Sequence, residues 1–447
     1  MVKEFIENNL ENFKKDLGEL VSYHSVLSDD EAPFGSENRK VLDAALKMME
    51  EKGFRTENVD YYCGYGEVGK GEEVIGILAH LDVVPEGDGW DSDPYQMIEK
   101  DGWVYGRGVS DDKGPAVASM YAIKYLLDTG YPFKRRVRLI LGCNEETGSA
   151  CIRHYVEKKG HVDMGYTPDG GFPGIIGEKG MVGGLITTDS SSILELKGGD
   201  ASNIVCKNLT CVLKKGSVDK EKMETYFNNH GVGCRWEEDE NITITLTGKA
   251  AHASTPDNGI NAINHLFEAL YEAGMDDVLV TYMHKYFGLD LHGERLGMEE
   301  LKDELSDTSI NLGVANTKEG RITISLDMRF PVKSHVEDVM KVLSVLNEEK
   351  VWFEAGRGVE PLYFDKNNPM IKALKKAYED VTGDHESEME VIGGGTYAKA
   401  IHNCIAFGAD FGGEEVHMHD ANEKLNLESV RKQIEIYIEA IRNLNEV

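Results

Sequence analysis

The pattern of apolar and polar positions changes character twice along this chain. From residue 1 to about 180, apolar runs of strand length alternate with stretches of helical period. Phe5, Leu10, Phe13 and Leu17 recur at helical spacing within a charged N-terminal segment, which predicts an amphipathic surface helix. A helix opened by Ser36 is expected over 37–51, a strand over 74–81, a helix over Ala116–Leu127 and a strand over "RVRLILG" (136–142). This rhythm is that of an α/β sheet with helical crossovers. It resumes after about 365: a helix at 369–382, a strand near 388–392, the glycine turn "GGGT", a helix at 396–402 and a last helix near 427–444.

Between these parts the period shortens to two. "NITITLTGKAAH" (241–252) and "GRITISLDMRF" (320–330) alternate strictly, with Ile322, Ile324, Leu326 and Met328 on one face and Thr323, Ser325, Asp327 and Arg329 on the other. Such strands suit a half-buried antiparallel sheet. A helix is expected after Gly259, through "INAINHLFEALYEAG". The expected fold is α/β, with a discontinuous domain over 1–184 and 360–447 built on a central mixed, mostly parallel sheet flanked by helices. An α+β domain over 185–359 is inserted into it.

A chain of 447 residues is too long for one core and fits this division. Its 41% hydrophobic and 28% charged residues are ordinary for a folded globular protein. Charge is less ordinary: 48 basic against 79 acidic side chains leave −31. That excess repels phosphate backbones and anionic lipid, so neither nucleic acid nor membrane is an expected partner. Seven cysteines, an odd number with no Cys-x-x-Cys pair, read as reduced thiols in a cytoplasm. The N-terminal helix lacks the apolar centre of a secretion signal, and no run approaches the roughly 20 apolar residues of a membrane span. A cytoplasmic location is expected.

Several apolar runs end in acids or imidazoles. The run 74–79 finishes on His80 and, two residues on, Asp82, which in a strand points to the same side. "YGRGVSDDKGP" (105–115) carries Asp111 and Asp112, "LGCNEETG" (141–148) carries Glu145 and Glu146, "YTPDGGFP" (166–173) carries Asp169, and "EEVHMHDANE" (414–423) carries His417 and His419. Taken singly, each has a plain alternative: a hydrogen-bonded histidine at a strand end, a helix cap at Asp111-Asp112, a solvated turn at Glu145-Glu146, a surface His419. Together, at strand ends that converge in a parallel sheet, they form a mixed nitrogen and oxygen set suited to divalent metals.

These blocks, with "AHLDVVPEGDGW", "GKAAHASTPDNGINA", "LDMRFP" and "IGGGTYAK", resemble the two-metal aminoacylase, carboxypeptidase and dipeptidase superfamily over nearly the whole chain, most closely the PepV-type bacterial dipeptidases. The resemblance implies two divalent metal ions, Zn first with Mn or Co as alternatives: His80 and Asp169 on one, Glu146 and His419 on the other, Asp111 bridging. It implies that Asp82 orients His80 and that Glu145 is the general base. The inserted domain becomes a lid whose His252 reaches the scissile carbonyl. Asn203 and Arg329 grip the substrate or its oxyanion, the plain alternative for Arg329 being a surface cross-strand charge partner of Asp327. Cys206 stands where the family has proline. Gly394, Gly395 and Thr396 are assigned the substrate carboxylate, a turn whose N–H groups suit an anion. His417 is read as a neighbour of the site rather than a ligand. The implied activity is metal-dependent hydrolysis of small dipeptides by a monomer. A deacylase or carboxypeptidase on the same scaffold and an inactive peptide-binding homologue are the competing expectations.

Overall fold

The computed structural model describes residues 1–447 and has an α/β fold. Its contacts divide it into two compact units: Met1–Gly177 with Phe364–Glu390 and Gly395–Val447, and Glu178–Tyr363 with Val391–Gly394. The second unit is thus inserted into the first. Gly394 clusters with the inserted unit, whereas the expected division at 360 left it with the first.

In the first unit, neighbouring strands of the sheet run in the order Arg55–Val59, Cys63–Val68, Arg136–Gly142, Val74–His80, Met164–Thr167, Cys404–Ala406 and Ile175–Glu178. Its centre is parallel. Val74–His80 pairs in parallel with Arg136–Gly142 on one side and with Met164–Thr167 on the other, and Cys404–Ala406 continues in the same sense. All seven residues of Val74–His80 are buried, which explains the unbroken apolar run. The helix Lys113–Asp128 packs on the two central strands, and Leu427–Leu444 packs on it in turn. A separate three-stranded ribbon pairs Lys424–Asn426 with Trp103–Tyr105, bringing the C-terminal part of the chain beside the segment that precedes Asp111. The expected helix at 396–402 is absent. Only the 3-10 turn Tyr397–Ala400 forms, capped by the Thr396 hydroxyl, which accepts from the Ala398 N–H at 3.2 Å. So short a turn adds little dipole to the glycine loop before it.

The inserted unit is an eight-stranded sheet. Arg321–Phe330 lies between Ser309–Lys318 and Gly180–Thr188, antiparallel to both. Ile322, Ile324, Leu326 and Met328 are buried in its core with the helices Ala262–Glu272 and Val278–Tyr286. Asp277 shows how local chemistry fixes this packing. Its carboxylate caps Val278–Tyr286 by accepting from the Leu279 and Val280 N–H groups, and it also accepts from the Ser191 and Ser192 hydroxyls. The seven cysteines are all free. No helix is long and apolar enough to cross a membrane.

His265, on the helix Ala262–Glu272, accepts a hydrogen bond at Nδ1 from the Tyr226 hydroxyl at 3.1 Å. Burial, and then the nearby His230 charge, push its pKa down to about 4. The unfolded chain therefore takes up this proton near the ordinary histidine value of about 6.5, while the folded chain does not until near 4. Its contribution to stability is present above 6.5 and is lost as pH falls toward 4. Melting curves across that window are expected to show a decline that becomes shallower, by about one bound proton, in His265→Gln. An unchanged slope would remove this account.

Candidate metal centre

Strand register brings the candidate residues together. His80 is the last residue of Val74–His80 and stands opposite Gly142, three residues before Glu145. Thr167, two residues before Asp169, ends the strand on the other side. These are the carboxyl ends of adjacent parallel strands, where the sheet leaves an open crevice. Asp111 arrives on the loop leading into the helix Lys113–Asp128. His419 arrives from the segment just before Lys424–Asn426.

Two imidazoles meet on one carboxylate. His80 Nε2 lies 2.9 Å from Asp111 Oδ1, and His419 Nε2 lies 2.9 Å from Asp111 Oδ2. His419 Nε2 is also 3.2 Å from Glu146 Oε2, and His80 Nε2 is 4.0 Å from Asp169 Oδ2. Ligand atoms of His80, Asp111 and Glu146 fall within 4.8 Å of one another, as do those of His80, Glu145 and Asp169. Glu145 thus stands as close to His80 and Asp169 as a ligand would, so distance alone does not separate its part from theirs. The two histidines differ in setting. His80 is wholly buried, whereas the His419 side chain is 55% exposed and its residue sits in the left-handed region at φ 63°.

Six carboxylates, those of Asp82, Asp111, Asp112, Glu145, Glu146 and Asp169, surround these two imidazoles. Burial, with the charges of Asp169, Glu146 and Asp82 added, pushes Glu145 up to about 8. Hydrogen bonds to Asp111 and Glu146 push His419 up to about 10. Burial opposes ionisation of Asp111, but the two imidazoles on it prevail and hold it well below the usual carboxylate range. So much negative charge on oxygen, with imidazole nitrogens turned onto a shared carboxylate, fits a pair of divalent cations.

Hydrogen bonds behind the cluster fix its geometry. His80 Nδ1 donates to the main-chain carbonyl of Asp82 at 2.9 Å, which leaves Nε2 facing Asp111. The Asp82 carboxylate lies farther from Nδ1, at 3.6 Å, and instead accepts the N–H groups of Glu145 (3.0 Å) and Glu146 (3.2 Å). Asp82 therefore orients His80 through its backbone and the glutamate pair through its side chain. Asp112 accepts the His80 N–H at 3.1 Å.

Glu423 was not singled out from the sequence. It is 1% exposed, and its carboxylate accepts from Gly108 N (2.9 Å), Ser110 N (2.8 Å), Asp111 N (3.1 Å) and Arg107 Nη1 (2.9 Å). It holds the Asp111 loop from the far end of the chain. The one hint was its place in the "HDANE" block, four residues after His419.

The remaining candidates belong to the inserted unit or to the loop at 395–396. The main chain around Asn203 pairs with that around His252: Ala253 N donates to Asn203 O at 2.9 Å, and Ile204 bridges His252. The Asn203 side chain is exposed. His252 Nδ1 accepts from Ser254 N at 3.2 Å and contacts Ser254 Oγ at 2.7 Å, so Nε2 carries the ring proton and points away as a donor. Partial burial and the Arg329 charge lower its pKa. Arg329 binds Asp327 through Nε (2.6 Å) and Nη2 (3.0 Å), and donates from Nη1 to the Gly393 carbonyl at 2.8 Å. The charge pairing weighed from the sequence is thus present, and it leaves Arg329 only its outer N–H groups for anything else.

Residues 76–443 match the model of peptidase family M20/M25/M40. A Staphylococcus haemolyticus protein named "putative dipeptidase" is 33% identical over 470 residues, covering 99% of both chains. One of the same description from Staphylococcus epidermidis is 35% identical over 451 residues, covering 96% of each. The crystal structure of human carnosine dipeptidase 1 superposes with a TM-score of 0.62 at 19% identity, covering 100% of this chain and 98% of that one, a likeness of fold.

Replacing Glu423 by Gln turns an amide toward main-chain N–H groups and frees the Asp111 loop. Metal affinity by titration calorimetry is expected to fall about 10–100-fold in Glu423→Gln. Wild-type affinity in a folded variant would show that the loop holds itself.

Proposed function

The chain belongs to peptidase family M20/M25/M40, and we propose that within it this metallopeptidase is a dipeptidase. One observation carries the reading: imidazoles from opposite ends of the chain sit on the two oxygens of Asp111 at 2.9 Å each. His80 and Asp169 would hold one divalent cation, Glu146 and His419 the other, with Asp111 shared. When bound, such a pair polarises the scissile carbonyl and lowers the pKa of water to near 7. Zn²⁺ suits this donor set, and Mn²⁺ or Co²⁺ would also be accepted.

The protein's own groups do the rest. Glu145, with its backbone fixed by the Asp82 carboxylate, takes the proton of the attacking water and delivers it to the leaving amine. His252 offers Nε2–H to the developing oxyanion, its other nitrogen being held by Ser254. Arg329 and the main chain at Gly394, Gly395 and Thr396 receive the substrate's carboxylate, with Asn203 beside them. Support for a dipeptide substrate comes from the staphylococcal relatives aligned end to end and from Asp169, where the resemblance associates glutamate with deacylases and carboxypeptidases. All the acid, base and ligand side chains are present, which speaks against an inactive homologue. Its free, mostly buried thiols suit a cytoplasm, and the resemblance of the inserted domain to that of PepV-type proteins supports a monomer.

Hydrolysis of simple dipeptides should require added divalent metal and vanish with a chelator. Glu145→Gln should lower kcat by about 10²–10⁴-fold while retaining metal. Cleavage of N-acyl amino acids with dipeptides left intact would decide for the deacylase instead.

A further inference from the structure

Gly393 lies immediately before Gly394, the first residue of the loop given to the substrate's carboxylate. It is not in the left-handed region, so its lack of a side chain answers to space rather than to backbone conformation. A Cβ there would lie 2.3 Å from Ser254 Cβ and 3.2 Å from Ser254 Oγ. Neither Cβ could swing aside, since each is bonded directly to main chain. Gly393 is thus packed against the residue that holds His252.

Both partners of this contact are tied down. The Gly393 carbonyl accepts from Arg329 Nη1 at 2.8 Å, and Arg329 is 6% exposed and locked on Asp327 through Nε and Nη2. One residue earlier, the Ile392 carbonyl accepts from the Lys179 N–H at 2.9 Å. On the other side, Ser254 holds His252 Nδ1 through its N–H (3.2 Å) and Oγ (2.7 Å), and Thr255 N closes the turn on the His252 carbonyl at 3.0 Å. Residues 391–394 and 252–255 belong to the same compact unit. A close-packed contact between two anchored segments passes a displacement on instead of absorbing it.

Resting on the dipeptidase reading, we propose that Gly393 and Ser254 are positioning residues that link recognition of the substrate's free carboxylate to the aim of His252 Nε2–H. A carboxylate seated from Gly394 onward fixes Gly393, Gly393 fixes Ser254, and Ser254 fixes the imidazole. Binding energy from the non-reacting end of the substrate is then realised in the transition state, in kcat as well as in KM. The link selects free dipeptides over their carboxy-terminal amides.

Ala-Leu and Ala-Leu amide test this. In the wild type the amide should have about tenfold lower kcat. Gly393→Ala should lower kcat for Ala-Leu about tenfold and bring acid and amide within about twofold of each other. In Gly393→Ala/Ser254→Gly the added Cβ meets only the residue 254 Cα, at 3.4 Å, and the wild-type difference should return. Ser254→Gly alone opens a gap and should also bring acid and amide together, which serves if Gly393→Ala does not fold. A merely structural role would slow acid and amide alike, so a preference that survives either single substitution would overturn the link, as would equal wild-type kcat values.

Histidine-selective NMR of the full chain reads the link without turnover, with chelator present so that no metal binds the probe. The His252 signal, assigned by its loss in His252→Gln, should shift with leucine, stay with leucinamide, and no longer respond in Ser254→Gly. That pattern with no dipeptide hydrolysed under added metal would defeat the dipeptidase reading and keep the link. No shift with leucine would defeat the link even if hydrolysis were seen.

Discussion

The cluster around Asp111 depends on one buried contact, the Glu423 carboxylate inside the loop that carries it. Three main-chain N–H groups and Arg107 converge on that carboxylate, and Arg107 also reaches the carbonyl of Glu86 at 3.1 Å. A buried carboxylate is costly without partners, and here every partner belongs to one loop. Moving the loop therefore breaks these bonds, and breaking them frees the loop. The ribbon of Lys424–Asn426 on Trp103–Tyr105 continues the attachment and sets where His419 emerges.

Each unit prepares its own groups. In the first, Asp82 uses its carbonyl on His80 and its carboxylate on the Glu145–Glu146 pair, so the three share a single anchor. In the inserted unit, Ser254 sets the His252 tautomer and Asp327 straightens Arg329. Such arrangements lower the reorganisation required when charge develops.

Strands and the residues clustered at their ends were legible wherever burial imposed a period. Val74–His80, Arg136–Gly142 and Arg321–Phe330 announce themselves by apolar runs or strict alternation. His80, Glu145 and Asp169 stand out because each follows such a run. Glu423 left no such trace, since its bonds run to main-chain atoms more than three hundred positions away, and main-chain donors are invisible in a sequence. Asp82 was singled out, but the bonds its carboxylate accepts from the Glu145 and Glu146 N–H groups escaped for the same reason. The helix expected at 396–402 failed because a single glycine-led turn satisfies those residues, ending at Ile401 in extended backbone.

Insertion of one unit within the other has a consequence for how the molecule is made. Synthesis proceeds from the N-terminus, so His80, Asp111, Glu145, Glu146 and Asp169 all leave the ribosome before the inserted unit, while His419 and Glu423 follow only after it. A nascent or prematurely terminated polypeptide carries a crowd of carboxylates with one imidazole and an unanchored loop. The cluster around Asp111 is thereby completed only after the inserted unit has been made.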